Sequence, residues 1–170
     1  MINNPIIKIS RPWFWLYLAG TYAVGVAAAA TTVDAFLTPW FWVLLAYFSL
    51  PANIFLYGVN DLFDQDTDQH NQKKGGEEHL LRADEHQALS GGVALVALAS
   101  LVLIAYLPTT PSLLLTAFVS LSYAYSAPPF RLKAKPYIDS AANILYVLPG
   151  LIDYTLVSSS PPSPYLLGAA

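Results

Sequence analysis

Asn53-Ile54-Phe55-Leu56-Tyr57-Gly58-Val59-Asn60-Asp61-Leu62-Phe63-Asp64-Gln65-Asp66-Thr67-Asp68 places four carboxylates in its last eight residues, directly after more than twenty residues without a charge. Read as one continuous helix at about 100° per residue, it gathers Asn53, Tyr57, Asn60, Asp61, Asp64 and Asp68 within roughly a third of the circumference. Asp66 points the other way. Phe55, Leu56, Leu62 and Phe63 occupy the remaining surface, as expected of a helix with one side on a polar cavity and the other on lipid or protein.

Charge this dense at the mouth of an apolar helix needs a cation. Oxygen ligands with no His or Cys beside them suit Mg²⁺ better than zinc or copper, and Mg²⁺ held by carboxylates on one side commonly carries substrate phosphates on the other. The stretch therefore predicts a diphosphate substrate. The plainer alternative is an acidic helix end solvated at a membrane surface.

Working outward, the 170 residues are 55% hydrophobic and only 11% charged, which is outside the usual range of soluble domains. The composition is that of a membrane protein. The net charge of −3 says less than the placement of the eight basic residues. With no cysteine, disulfides, thiol nucleophiles and Cys-ligated metals are excluded. Nothing points to a nucleic-acid partner.

Residues 12 to 33 carry no charge and are long enough to cross about 30 Å of hydrocarbon at 1.5 Å per residue. No small-residue cleavage pattern follows, so this is read as an uncleaved first span, not a signal peptide. Pro39-Trp40-Phe41-Trp42 opens a second span, with Pro early and aromatics at the interface. Residues 69–86 form a polar connection. The uncharged run from Gln87 to Phe130 is too long for one crossing, and Pro108-Thr109-Thr110-Pro111 divides it into two. A fifth span follows from about Tyr137 to Val157, with a kink expected at Pro149. Asp139, Asn143 and Tyr146 recur along it as a second polar stripe. Tyr165 to Ala170 begins a sixth.

The alternation puts residues 1–11, 69–86 and 126–136 on one side, and Lys8, Arg11, Lys73, Lys74, Arg82, Arg131, Lys133 and Lys135 all fall there. The positive-inside rule makes that side cytoplasmic. The acidic stretch and the cations of Tyr125-Ser126-Ala127-Pro128-Pro129-Phe130-Arg131-Leu132-Lys133 share it.

These residues resemble the UbiA-type intramembrane prenyltransferases. The motifs are Asn-Asp-x-x-Asp-x-x-x-Asp at Asn60, Asp61, Asp64 and Asp68, and Tyr-Ser-x-Pro-Pro-x-Arg-Leu-Lys from Tyr125 to Lys133, with Ser10-Arg11-Pro12 as a weaker third. Within the family, Asn71-Gln72-Lys73-Lys74-Gly75-Gly76 and Lys135-Pro136-Tyr137-Ile138-Asp139-Ser140 are most similar to lycopene elongases, which add C5 units to a carotenoid. Relatives that prenylate aromatic rings, quinone precursors, chlorophyllide or glycerol phosphate lipids are the alternatives.

The resemblance implies an all-α, polytopic transmembrane bundle of about nine spans. Five and the start of a sixth are expected here, as a single domain over residues 1–170 truncated at its C-terminus, in a prokaryotic-type plasma membrane. It implies Mg²⁺ on Asp61, Asp64 and Asp68, supported by Asn60, and an allylic diphosphate contacted by Arg131 and Lys133. Tyr125 would touch the diphosphate or the allylic cation, and a carotenoid such as lycopene would be the acceptor. A second aspartate-rich motif is expected beyond Ala170, to be supplied by a missing half or another copy. Three other expectations come from the residues. Arg131, Lys133 and Lys135 could instead mark topology against lipid headgroups; Asp153 lies near the outer interface without a catalytic part; His70, His79 and His86 have no role. A catalytically silent membrane protein and a small transporter are the rival functions.

Overall fold

A computed structural model describes residues 4–64 and 81–158. Proline recurs at helix starts, where its missing N–H is no loss and its φ is already helical. Asn4 caps the short α1 (Pro5–Ile9), its Oδ1 accepting from Ile6 N at 2.9 Å. A 3-10 turn at Pro12–Phe14 leads into α2 (Trp15–Ala29), and a second one at Val33–Leu37 precedes α3 (Pro39–Ser49). Thr38 caps α3 by accepting from Phe41 N.

The second expected span is one rod in two pieces. Pro51 cannot donate to the preceding turn, so α3 breaks at Leu50 and α4 (Pro51–Phe63) restarts. Asn53, wholly buried, repairs the break: its Nδ2 donates to the carbonyls of Phe48 and Ser49, each at 2.9 Å. Asn53 thus serves the backbone of its own rod instead of a polar face shared with Asn60.

α4 also stops earlier than the sequence suggests. It ends at Phe63, and Asp64 is its C-cap with φ −110° and ψ 7°. The expected continuous face through Asp64 is therefore corrected. Aspartates at 61, 64, 66 and 68 would crowd like charges onto the negative end of the helix dipole, which opposes further helix. Asp68 and the polar connection to residue 80 lie outside the described residues.

α5 (His86–Tyr106) and α6 (Thr109–Ser126) form a hairpin at Leu107-Pro108, where the Pro-rich division was expected. After a 3-10 turn at Leu132–Ala134 come α7 (Pro136–Ala142), a 3-10 turn at Asn143–Tyr146 and α8 (Leu148–Ser158). The interruption of the last segment therefore precedes Pro149, which sits in the first turn of α8, where it is tolerated.

Among the described residues the elements are helices and turns, without strands. Three segments, Pro39–Phe63, His86–Tyr106 and Tyr137–Ser158, are long and apolar enough to cross a membrane. The other two expected spans are weaker by that measure: α2 has 15 residues, and α6 is rich in serine and threonine. The start of a sixth span lies outside the described residues.

Leu18, Tyr22, Leu44, Phe48, Leu115, Phe118 and Ile152 build the core, with the rings of Phe48 and Phe118 edge to face at 5.5 Å. α2 and α8 cross closely, because a Cβ on Gly25 would collide with the carbonyl oxygen of Gly150. At membrane depth, Tyr47 and Ser100 pair their hydroxyls at 2.7 Å and tie α3 to α5. The outer face of α5 presents Leu95, Leu98, Leu101 and Val102, as expected of a surface in lipid. The end of α4, the residues before α2, the end of α6 and the turn before α7 meet at one end of the bundle.

Candidate functional site

Asp61, on the last turn of α4, is buried at 2% exposure. A carboxylate so placed needs a cation or donors. Arg11 Nη2 lies 3.5 Å from Asp61 Oδ1, and Asn60 Nδ2 donates to the same oxygen at 3.3 Å. Arg11 reaches it from the turn between α1 and α2, where its backbone is left-handed (φ 52°). Its guanidinium also lies 4.6 Å from the centre of the Tyr57 ring. Arg11 thus touches both a carboxylate and the aromatic ring one turn behind it.

Asp64, just past the helix end, meets the segment that follows α6. Arg131 Nη2 donates to Asp64 Oδ1 at 3.0 Å, and Lys133 pairs with Asp64 Oδ2. Lys133 also donates to Asn60 Oδ1 at 2.9 Å, and Ser126 Oγ donates to that oxygen at 3.1 Å. The Asn60 amide therefore bridges Asp61 to Ser126 and Lys133. Arg131 takes the second left-handed backbone in the described chain (φ 38°), and its Nε is buried without a hydrogen-bond partner.

Tyr125, on the last turn of α6, donates to Asp139 Oδ1 at 2.7 Å. Asp139 lies in the first turn of α7, where the dipole favours it. Beside these groups is a cavity of about 180 Å³ lined by Arg11, Tyr57, Asn60, Tyr125, Asn143 and Tyr146, among others. It adjoins a more open space of about 480 Å³ where Phe14 and Tyr17 join Arg11, Tyr57, Asn143 and Tyr146. The polar stripe expected on the fifth segment does reach this cavity, through Asn143 and Tyr146.

Of the residues singled out in the sequence, Asn60, Asp61, Asp64, Tyr125, Arg131 and Lys133 lie at this one end. Lys135 is exposed nearby, and His86 begins α5. Asp68, His70 and His79 are outside the described residues. No three His, Cys, Asp or Glu side chains come together among the described residues; the expected three-carboxylate set includes Asp68, which lies outside them. Asp153, expected near the outer interface, lies on α8 and is buried at 2% exposure against α2. Sequence reasoning gave Arg11 no role and did not mark Ser126. The one signal for Arg11 was its position in Ser10-Arg11-Pro12, immediately before the first apolar run.

Among the described residues the donor set is oxygen only, two carboxylates and an amide, with no His or Cys beside them, which fits a hard divalent cation. Three cationic side chains among the described residues surround them and fit an anion.

The comparisons with known proteins agree on one kinship. The model of the UbiA prenyltransferase family matches residues 17–170. The chain is similar to a lycopene elongase/hydratase of Haloarcula japonica, 43% identical over 96% of this chain and 56% of that protein. It is 49% identical to one from Haloferax volcanii, over 95% of this chain and 53% of the relative. A lycopene elongase/hydratase of Corynebacterium glutamicum is 34% identical over 92% and 54%. The chain spans about half the length of these curated relatives. No solved structure matches it. With acidic and cationic motifs drawn together at one end of an apolar helical bundle, and a family match over most of its length, the chain belongs to the UbiA prenyltransferase family.

Proposed function

We propose that the chain carries the first diphosphate-binding half of an intramembrane prenyltransferase, which moves a prenyl group from an allylic diphosphate to a hydrophobic acceptor. The observation that carries this reading is the cluster Arg11, Asp61, Asp64, Arg131 and Lys133 at one end of an apolar bundle, beside a tyrosine-lined cavity. Such a cluster suits a substrate with a highly charged head and an apolar tail.

Asp61 and Asp64, with Asp68, are the residues that would hold Mg²⁺, and Asn60 orients them. When bound, the ion neutralises negative charge that develops on the leaving diphosphate. Arg131 and Lys133, now paired with Asp64, turn to the phosphate oxygens when substrate arrives, which leaves the carboxylate to the metal. The guanidinium offers a planar fork and the ammonium a point charge. Arg11 holds Asp61 in place. The rings of Tyr57, Tyr125 and Tyr146 line the space for the allyl group, where their faces stabilise developing positive charge and exclude water.

For the acceptor, the names of the relatives favour an acyclic carotenoid such as lycopene, and dimethylallyl diphosphate is the matching C5 donor. The end-group double bond of the acceptor attacks the allylic carbon as the C–O bond to diphosphate breaks. Loss of a proton or capture of water completes the step. The placement of basic residues supports a cytoplasmic location for the cluster.

The test is to incubate membranes containing a full-length form, which joins this chain to a second half as in the relatives, with dimethylallyl diphosphate, lycopene and Mg²⁺, and to separate the carotenoids by chromatography. Products longer by C5 units, absent when the metal is chelated, are expected. Transport of substrate across vesicles without product would overturn the reading.

A further inference from the structure

A cavity of about 650 Å³ lies at the other end of the bundle, between the end of α2, the start of α3 and the end of α8. The α3–α4 rod separates it from the ion-pair cluster, since Thr38 and Trp40 stand at the beginning of that rod and Asn60 and Asp61 at its end. Its walls are mixed. Trp40 and Leu156 supply apolar surface, Thr32 and Thr38 hydroxyls, and Asp34 and Asp153 carboxyls.

Asp153 is the wall residue that calls for a ligand. It is 2% exposed, on a segment apolar enough to cross a membrane, and its Oδ2 has no hydrogen-bond partner. The Tyr22 hydroxyl and the Val26 backbone on α2 are its polar neighbours, neither of them placed to bond Oδ2. A buried carboxyl oxygen with no donor is destabilising, and an ionisable side chain at membrane depth points to a functional site. None of the residues assigned to prenyl transfer lines this cavity. Two carboxyls disfavour an anion. A plain hydrocarbon would leave Oδ2 unmet, and the apolar walls favour an amphiphile over a bare cation. The volume falls within the range of roughly 300–1,000 Å³ typical of small-molecule pockets.

We propose that this cavity is a second ligand site, which receives the hydroxyl end of a long apolar chain, with Asp153 accepting the hydroxyl hydrogen and Trp40 and Leu156 enclosing the first carbons. The same chemistry is carried by an isoprenoid alcohol and by a glycerolipid with a free hydroxyl.

Trp40 makes the site observable. The full chain in detergent micelles is titrated with 2-bromohexadecan-1-ol, whose bromine quenches indole fluorescence on contact, and with 2-bromohexadecane as the hydrocarbon control. A Trp40→Phe chain isolates the Trp40 signal. Saturable quenching of Trp40 by the alcohol is expected, with the hydrocarbon at least about tenfold weaker and Asp153→Leu at least about tenfold weaker toward the alcohol, as for a hydrogen bond to a charged group. Asp153→Asn keeps the shape and one acceptor oxygen. It guards against a Leu variant that fails to fold, and binding about threefold or more weaker is expected of it. Displacement by unlabelled geranylgeraniol or by monoolein then distinguishes the two sources. Equal quenching by alcohol and hydrocarbon, or unchanged affinity in the Asp153 variants, would overturn the proposal. The assay contains no diphosphate and no added metal, so its outcome is separate from that of the prenyl-transfer test.

Discussion

Arg131 Nη2 stands 3.0 Å from Asp64 Oδ1, so the turn after α6 is clamped onto the end of α4 across 67 residues of sequence. Lys133 closes the same carboxylate from its other oxygen. Both cations come from a segment bounded by a left-handed Arg131 and a 3-10 turn, which projects them back toward α4 instead of along α6. Ion pairs of this kind contribute little stability where exposed. Their interest is that each partner has a second use once a charged substrate arrives.

Asp64→Asn should remove one metal ligand and leave Arg131 and Lys133 with a neutral partner. In a full-length form, prenyl transfer by membranes holding equal amounts of protein is expected to fall by about a hundredfold or more, the scale on which preorganised charge acts in a transition state. Unchanged turnover in a verified membrane preparation would rule out the metal role.

Arg131→Ala removes the fork aimed at phosphate but no wall of the tyrosine-lined cavity. The apparent affinity for the diphosphate substrate should weaken about tenfold or more, the scale of a hydrogen bond to a charged group, while that for the acceptor changes little. Comparable losses for both substrates would mean that Arg131 only holds the loop in place.

Asn53→Leu tests the repaired break in the α3–α4 rod. The buried carbonyl of Phe48 and the half-buried one of Ser49 lose a donor, for a destabilisation of about 1–3 kcal/mol. Thermal unfolding in detergent should show a lower midpoint. An unchanged midpoint would indicate that the break relaxes into continuous helix without the amide.

Gly25 and Gly91 form a matched pair. A Cβ on Gly25 would collide with backbone of α8, whereas one on Gly91 meets nothing within 4 Å. Gly25→Ala should therefore destabilise by roughly 1–3 kcal/mol or more as α2 and α8 are forced apart. Gly91→Ala should stabilise by up to about 1 kcal/mol through helix propensity. Thermal unfolding of the two variants side by side decides whether the α2–α8 crossing is as close as described.

Much of this was legible from local chemistry. Charge-free runs marked the helices, Pro39 fell at a helix start, and Pro108 marked the hairpin, whereas the break at Pro51 was not read from the sequence. The motif carried by Asn60, Asp61 and Asp64 pointed to the end of α4. The stop at Phe63 was missed because hydrophobic periodicity carries the pattern onward, while repulsion among successive aspartates at a helix C-terminus opposes it. Asn53 was misread for a related reason. Its helical position faces the same way as Asn60, but the carbonyls of Phe48 and Ser49 at the break before Pro51 take its amide first. The Arg11–Asp61 pair joins positions fifty residues apart through a left-handed turn, and no local pattern announces such a pair. Asp153 showed only as a charge near the outer interface; its burial follows from the close crossing that Gly25 and Gly150 allow.

The most direct measurement is calorimetric titration of inorganic pyrophosphate into the purified chain, with and without Mg²⁺, for the unaltered protein and for Asp64→Asn. Carboxylates that hold the metal and cations that turn to phosphate predict that Mg²⁺ tightens pyrophosphate binding by at least about tenfold, and that Asp64→Asn removes the gain. Equal affinity with and without Mg²⁺, or a gain that survives in Asp64→Asn, would contradict the assignment of this ion-pair cluster as the diphosphate site.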